Sequence, residues 1–163
     1  MIELSLVGVR VELPTNQPIV LLKEQNGQRF LPIWIGAVEA TAIAFALQGV
    51  VTQRPMTHDL LKSVLDEVGV KVDMVFISEL REGTFYSSIR LTLNGKNYEV
   101  SSRPSDAIAL AVRTDVPIFA TEEVIDEAAI AIREDEDEER DETDLEEFRK
   151  FLEEVSPEDF RSN

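Results

Sequence analysis

The sequence of 163 residues contains no cysteine and one histidine, His58. The absence of cysteine excludes disulfides, thiol nucleophiles and any zinc or iron–sulfur site with cysteine ligands. A single histidine excludes a histidine-rich metal site within one chain. Apolar runs of about 18 residues are also missing, and the N-terminus has no basic segment before an apolar stretch, so neither a membrane span nor a signal peptide is predicted. We therefore expect a cytoplasmic protein without membrane partners.

Several common cofactor and catalytic patterns are missing as well. The chain has no Walker phosphate loop, no GxGxxG dinucleotide pattern, no HExxH zinc pattern and no GxSxG nucleophile turn. These absences leave no basis for an organic cofactor, and we expect none.

Basic residues are scarce, with 16 Lys and Arg against 32 Asp and Glu, which gives a formal net charge of −16. The imbalance is local. Residues 1–120 carry 13 acids and 11 bases, whereas nine of the eleven residues in 134–144 are acidic. The sequence thus predicts a nearly neutral domain over 1–133 and an acidic appendage over 134–163. The domain lacks the excess of basic residues that is typical of nucleic-acid-binding surfaces.

The appendage combines a charged tether with a short helix. Residues 134–144 should stay hydrated, because like charges repel and are costly to bury. Thr143 and Glu146 form a capping-box pattern at the start of an amphipathic helix. We expect this helix to dock on the domain, a neighbouring subunit or another protein; the alternative is a solubilising tail without a partner. The apolar stripe of the helix consists of Leu145, Phe148, Leu152 and Val155.

The domain alternates short strands with short helices. The periodicity predicts a single α+β domain with a twisted mixed or antiparallel sheet and helices packed on one face. Helices are predicted after Gly36, from Thr57 as a cap, from Ser105 as a cap, and from Thr121 to about residue 132. Strands are predicted at 1–13, 19–22, 30–35, 70–80, 84–93, 97–100 and 117–120.

Local signals refine the predicted strands. Gly8 lies where the apolar alternation changes phase, which indicates a β-bulge. Asn94-Gly95 predicts a type I′ hairpin turn, and Pro32 predicts an edge or a bend in the third strand. The fourth strand is expected to present one apolar face made of Val70, Val72, Met74 and Phe76.

Three predicted helix starts carry polar side chains of chemical interest. If the helix N-termini meet at one rim of the sheet, Glu39, Asp59 and Asp106 form a carboxylate cluster of the kind that binds Mg²⁺ or Mn²⁺. Such an ion could assist phosphodiester cleavage. His58 suits general acid–base chemistry. The alternative is that these residues only cap helices and complement helix dipoles. In the same segments Arg54 and Arg103 could bind phosphate.

Three sequence blocks resemble those of the bifunctional nuclease domain family. They are FLPIWIGAVEATAIAFALQG at 30–49, RPMTHDLL at 54–61 and RPSDAIALAVR at 103–113. The resemblance extends over about residues 1–133 and implies a nuclease that acts on RNA and DNA. The polar residues in the matching blocks are Glu39, Arg54, His58, Asp59, Arg103, Ser105, Asp106 and Arg113. From their chemistry we infer catalytic roles for Glu39, His58, Asp59 and Asp106, with Glu39, Asp59 and Asp106 as metal ligands. We likewise infer substrate-binding roles for Arg54, Arg103, Ser105 and Arg113.

A rival interpretation places the protein in a different class. The polar blocks could shape a pocket or an interface in a non-catalytic, oligomeric binding or regulatory domain. The nearly neutral charge of the domain favours this rival, whereas the set of carboxylate, histidine and arginine side chains favours the nuclease. In either case we expect a homo-oligomer, because the apolar, alanine-rich surfaces call for more burial than a monomer of this size provides.

Overall fold

A computed structural model describes residues 1–132 and Lys150. Within them the chain forms eight strands and four helices. The helices are α1 (Ala37–Leu47), α2 (Thr57–Glu67), α3 (Pro104–Thr114) and α4 (Glu122–Ala128). The strands are β1 (Ile2–Glu12), β2 (Gln17–Glu24), β3 (Arg29–Trp34), β4 (Lys71–Arg81), β5 (Thr84–Leu93), β6 (Lys96–Ser102), β7 (Ile118–Ala120) and β8 (Ile130–Ala131).

All eight strands belong to one mixed sheet, in the order β6-β5-β4-β7-β1-β2-β3-β8. The three-residue strand β7 lies in the middle and joins two antiparallel groups. It pairs antiparallel to β1 and parallel to β4, and this β4–β7 pair is the parallel one. The predicted α+β class and the mixed sheet are therefore confirmed.

α1, α3 and α4 contact strands of the sheet and contribute side chains to the apolar core. Ala107 to Ala111, an unbroken apolar run in α3, are each at most 2% exposed. α1 and α2 both pack against α3, which in turn contacts β4 and β5. One contiguous cluster of buried side chains joins these elements. It includes Leu4, Val20, Leu22, Leu31, Ile43, Val75, Ile77, Ile108, Leu110, Ile118, Val124 and Ile125.

Most local strand predictions are confirmed, and one is wrong. The pairing of β1 with β2 shifts register between Leu6 and Gly8, as a bulge at this point requires. Asn94 and Gly95 have φ values of 51° and 75°, as a type I′ turn requires. Pro32 lies on the part of β3 that β8 leaves uncovered, because β8 pairs only with Arg29 and Phe30.

The error concerns the buried face of β4. A register shift between Val72 and Met74 turns the strand over, so that Val75 and Ile77 are fully buried while Met74 and Phe76 are only half-buried. Strict alternation from Val70 could not reveal this bulge, because apolar residues occupy both phases of the strand.

The helix boundaries differ from the sequence prediction in three places. The N-cap of α2 is Met56 rather than Thr57, and that of α3 is Arg103 rather than Ser105. In α3, Pro104 takes the first helical position, which suits its fixed φ and missing N–H. Thr121 does cap α4 through a hydrogen bond from the Val124 N–H. That helix ends at Ala128 instead of continuing to about residue 132, because β8 then pairs with β3.

Predictions for the tether at 134–144 and for the amphipathic helix that follows concern residues outside the described range, Lys150 excepted. Across the described part of the chain, no helix has the length and apolar character needed to cross a bilayer.

Candidate functional site

Four side chains from the predicted set are joined by an unbroken series of hydrogen bonds. His58 Nε2 lies 2.9 Å from Asp106 Oδ1. The other oxygen of Asp106, Oδ2, accepts from Arg103 Nε at 2.8 Å. Arg103 Nη2 also donates to Glu39 Oε1 at 2.8 Å. The order of contacts is therefore His58–Asp106–Arg103–Glu39, and we refer to these four residues as the polar chain.

The polar chain exists because three helix N-termini converge. Glu39 lies in the first turn of α1, His58 in the first turn of α2 and Asp106 in the first turn of α3, whose N-cap is Arg103. Gly36 caps α1, and a side chain at this position would collide with the Glu39 carboxylate. The first turn of a helix favours carboxylates electrostatically, so the same residues serve the helix starts and meet one another.

The members of the polar chain differ in how much of each side chain is exposed to solvent. The His58 side chain is 8% exposed and the Glu39 side chain 15%, whereas Arg103 is 66% exposed. Contacts with both carboxylates, first with Asp106 and then with Glu39, raise the pKa of Arg103 above its ordinary value. Arg103 is therefore the solvent-facing member of the site, with a fixed positive charge, and His58 is the more buried member.

Asp59 and Arg113 form a second ion pair beside the polar chain. Arg113 Nε donates to Asp59 Oδ1 at 2.6 Å. Asp59 Oδ2 accepts from the Met56 N–H at 3.1 Å, which ties the carboxylate to the start of α2. Burial raises the pKa of Asp59, but the bonds from Arg113 and from Met56 and the nearby positive charge of Arg113 outweigh this effect and leave the pKa below its ordinary value.

The remaining predicted residues occupy different environments. Ser105 is buried in the first turn of α3. Arg54 is exposed, and its backbone carbonyl accepts a bond from Thr52 Oγ1. Its guanidinium forms no ion pair with any side chain of residues 1–132. The structure thus brings Glu39, His58, Arg103 and Asp106 together and leaves Arg54 outside their contacts.

The arrangement of the carboxylates bears on the predicted metal. Asp106 and Glu39 are both held by Arg103, and Asp59 is held by Arg113. Among the described residues, no three His, Asp or Glu side chains are grouped so that they could share a metal ion. With its oxygens engaged by guanidinium groups, this donor set does not fit a shared Mg²⁺ or Mn²⁺ in the conformation described. Metal binding stays a prediction.

Two acceptors in the site could not be found from the sequence. The carbonyl oxygens of Ala42 and Ala109 each accept a bond from Arg113, at 2.9 Å. A backbone carbonyl carries no sequence signal, so nothing in the pattern distinguished the buried Arg113 from the exposed Arg103.

Comparison with known proteins adds independent information. A protein family described as "Bifunctional nuclease domain" matches residues 20–133. An uncharacterised protein of Mycobacterium tuberculosis is 46% identical, and the match covers 98% of both chains. "Bifunctional nuclease 2" of Oryza sativa subsp. japonica is 31% identical over 68% of this chain and 35% of the rice protein. "Bifunctional nuclease 1" of Arabidopsis thaliana is 30% identical over 62% of this chain and 32% of its own length.

Proposed function

Because the chain belongs to the bifunctional nuclease domain family, we propose that it is a nuclease that hydrolyses phosphodiester bonds of RNA, DNA or both. The observation that carries the proposal is the hydrogen bond between His58 and Asp106, 2.9 Å long, in a network that also includes the exposed Arg103. A buried base held by a carboxylate, beside an exposed cation, provides two elements that phosphodiester hydrolysis needs.

His58 is the proposed general base. An ionised Asp106 can only accept a hydrogen bond, so the bound nitrogen Nε2 carries hydrogen and the lone pair of the neutral ring is on Nδ1. The low exposure of the ring suits a water molecule as its partner better than a nucleotide. In the proposed step, Nδ1 takes a proton from water, the water oxygen bonds to phosphorus, and the bond to the leaving oxygen breaks. Asp106 stabilises the imidazolium that forms.

Arg103 and Arg54 are the proposed phosphate ligands. Both side chains are exposed. The Arg54 guanidinium can match two phosphate oxygens at once, whereas Arg103, whose Nε and Nη2 bind Asp106 and Glu39, offers Nη1 to one phosphate oxygen. Arg103 would orient the phosphate next to His58, since it shares Asp106 with that residue. Glu39 accepts from Nη2 of Arg103 and thereby fixes the direction of the guanidinium.

Whether Mg²⁺ or Mn²⁺ assists the cleavage is left to experiment. Glu39, Asp59 and Asp106 are the predicted ligands, and none of the steps above depends on a bound ion. Nucleic acid is the proposed substrate, as the names of the plant relatives suggest.

The test is a cleavage assay with purified protein on single- and double-stranded RNA and DNA, in Mg²⁺, in Mn²⁺ and in EDTA. We compare the wild type with His58→Asn and Asp106→Asn. Asp126→Asn is the matched control, because Asp126 also accepts a bond from an arginine, Arg29, but lies on α4. We expect His58→Asn and Asp106→Asn to lose about 100-fold or more of the activity, and Asp126→Asn to retain it.

Equal activity of all four proteins would identify a contaminating nuclease and contradict the proposal. Binding of nucleic acid without cleavage under any of the metal conditions would favour the rival, a non-catalytic binding domain. Loss of activity in EDTA with recovery in Mn²⁺ would add a metal to the mechanism.

A further inference from the structure

Arg113 differs from the other arginines of the site in its burial. Its side chain is 7% exposed, against 66% for Arg103. All three of its nitrogens donate within the protein: Nε to Asp59, Nη1 to the Ala109 carbonyl and Nη2 to the Ala42 carbonyl. A guanidinium in these contacts has no edge left for a phosphate. Its charge is compensated by Asp59, so the pair is complete without a ligand.

The three acceptors belong to three different helices. Ala109 is in α3 with Arg113 itself, Asp59 is in the first turn of α2, and Ala42 is in α1. The same helices carry the polar chain, with His58 on α2, Asp106 on α3 and Glu39 on α1. One buried side chain thus fixes the two neighbouring helices against α3.

The contacts between α2 and α3 have a specific geometry. His58 and Asp59 are consecutive residues, and their partners on α3, Asp106 and Arg113, are seven residues apart. Seven residues are about two helical turns, so both partners lie on one side of α3, roughly 10 Å apart along its axis. Two attachments at this separation on α3 oppose sliding of the first turn of α2 along α3.

We propose that Asp59 and Arg113 are positioning residues: the ion pair of the buried Arg113 with the half-buried Asp59 holds His58 at hydrogen-bond distance from Asp106. This assigns to Arg113 a role other than phosphate binding and to Asp59 a role other than metal binding. Its consequence for catalysis rests on the nuclease function proposed above. The position of His58 does not depend on that function and can be tested on an inactive protein.

The single histidine of the chain makes the position of His58 directly observable, because any imidazole signal in the NMR spectrum belongs to it. In the wild type, the Nε2–H proton held by Asp106 should be protected from exchange and visible. Asp106→Asn provides the reference for a broken contact. We expect Asp59→Asn and Arg113→Gln to lose or shift this signal in the same way, at a temperature where circular dichroism shows each variant folded.

A matched ion-pair control is Arg29→Gln. Arg29 binds Glu24 at 2.7 Å and Asp126 at 2.8 Å. Like Arg113→Gln, this variant removes an ion-paired arginine, here one with two acidic partners, and it should leave the His58 signal unchanged. Asp59→Asn is the milder of the two test variants, since the amide oxygen can still accept from Met56, so it serves if Arg113→Gln does not fold. A His58 signal identical to that of the wild type in folded Asp59→Asn and Arg113→Gln would overturn the proposal.

Kinetics provide a second readout if the protein cleaves nucleic acid. A positioning role predicts that Asp59→Asn lowers kcat by roughly 10- to 100-fold with little change in KM, because misplacement of the base affects the chemical step. Direct phosphate binding by Arg113 predicts a raised KM in Arg113→Gln with the His58 signal intact, and this result would also overturn the proposal. An inactive wild type would contradict the nuclease function alone and leave the NMR result to decide.

Discussion

His58 and Asp106 are 48 residues apart in the chain, and their side chains meet with Nε2 2.9 Å from Oδ1. The contact joins the first turn of α2 to the first turn of α3. Asp106 also binds Arg103, which in turn binds Glu39, so the first turns of three helices share one polar network. Each of these residues is an ordinary helix-start residue when taken alone. Their joint position is what makes the site a candidate for catalysis.

Replacing Arg103 with Gln should change binding more than stability. The side chain is 66% exposed, and ion pairs of exposed arginines contribute at most about 1 kcal/mol to the free energy of unfolding. If Arg103 binds a phosphate, affinity for nucleic acid should fall, and the slope of log affinity against log salt should decrease by about 1. Fluorescence anisotropy over a salt series measures this. Arg81→Gln, which removes another exposed arginine at the end of β4, should change neither quantity; equal slopes for all three proteins would exclude the phosphate contact.

Glu24 should make stability depend on pH in the acid range. Hydrogen bonds from Arg29 hold the pKa of Glu24 below its ordinary value of 4.5, although burial opposes this shift. A lowered folded pKa means that the stabilisation is present above about pH 4.5 and is lost as the pH falls through the folded value. In urea denaturation, the wild type should exceed Glu24→Gln in unfolding free energy at pH 6, and the difference should shrink toward pH 3. Glu67→Gln, at an exposed site, should show no such trend. A constant difference across the pH range for Glu24→Gln would contradict this assignment.

The β5–β6 hairpin should be sensitive to side chains that resist a positive φ. Gly95 has a φ of 75°, and an added Cβ would meet no atom within 4 Å. Strain rather than collision therefore sets the cost of a substitution. Gly95→Val should lower the unfolding free energy by about 1 kcal/mol or more, because β-branched residues are outliers in this region. Gly95→Asn should cost less, since Asn tolerates positive φ. Equal denaturation midpoints for the two variants would rule out this explanation.

Truncation after residue 133 tests the acidic appendage. Residues 134–163 hold 15 acids and 4 bases, so their removal changes the formal net charge from −16 to −5. If the appendage competes with nucleic acid for the domain, the truncated protein should bind or cleave nucleic acid better at low salt. The advantage should disappear near 0.5 M salt, where the Debye length is about 4 Å. Identical behaviour at every salt concentration would leave a solubilising tail as its role.

Local patterns in the sequence were sufficient for the elements that depend on neighbouring residues. The Asn94-Gly95 turn, the bulge at Gly8 and the Thr121 cap follow from φ preferences and side-chain hydrogen bonds within a few residues. The buried interior of α3 follows from an unbroken apolar run. The bulge in β4 did not follow, because apolar residues on both faces of the strand hide a change of phase.

The residue types of the candidate site, and their places at helix starts, were also determined by the sequence. Which of them meet was decided by the tertiary structure. The central position of β7 and the packing of α1 and α2 on α3 bring Glu39, His58, Arg103 and Asp106 into contact, and they direct Arg113 inward to two backbone carbonyls and Asp59. The physical reason is that such contacts join residues many positions apart. Their existence depends on the order of strands and on helix packing, which no local preference of the chain encodes.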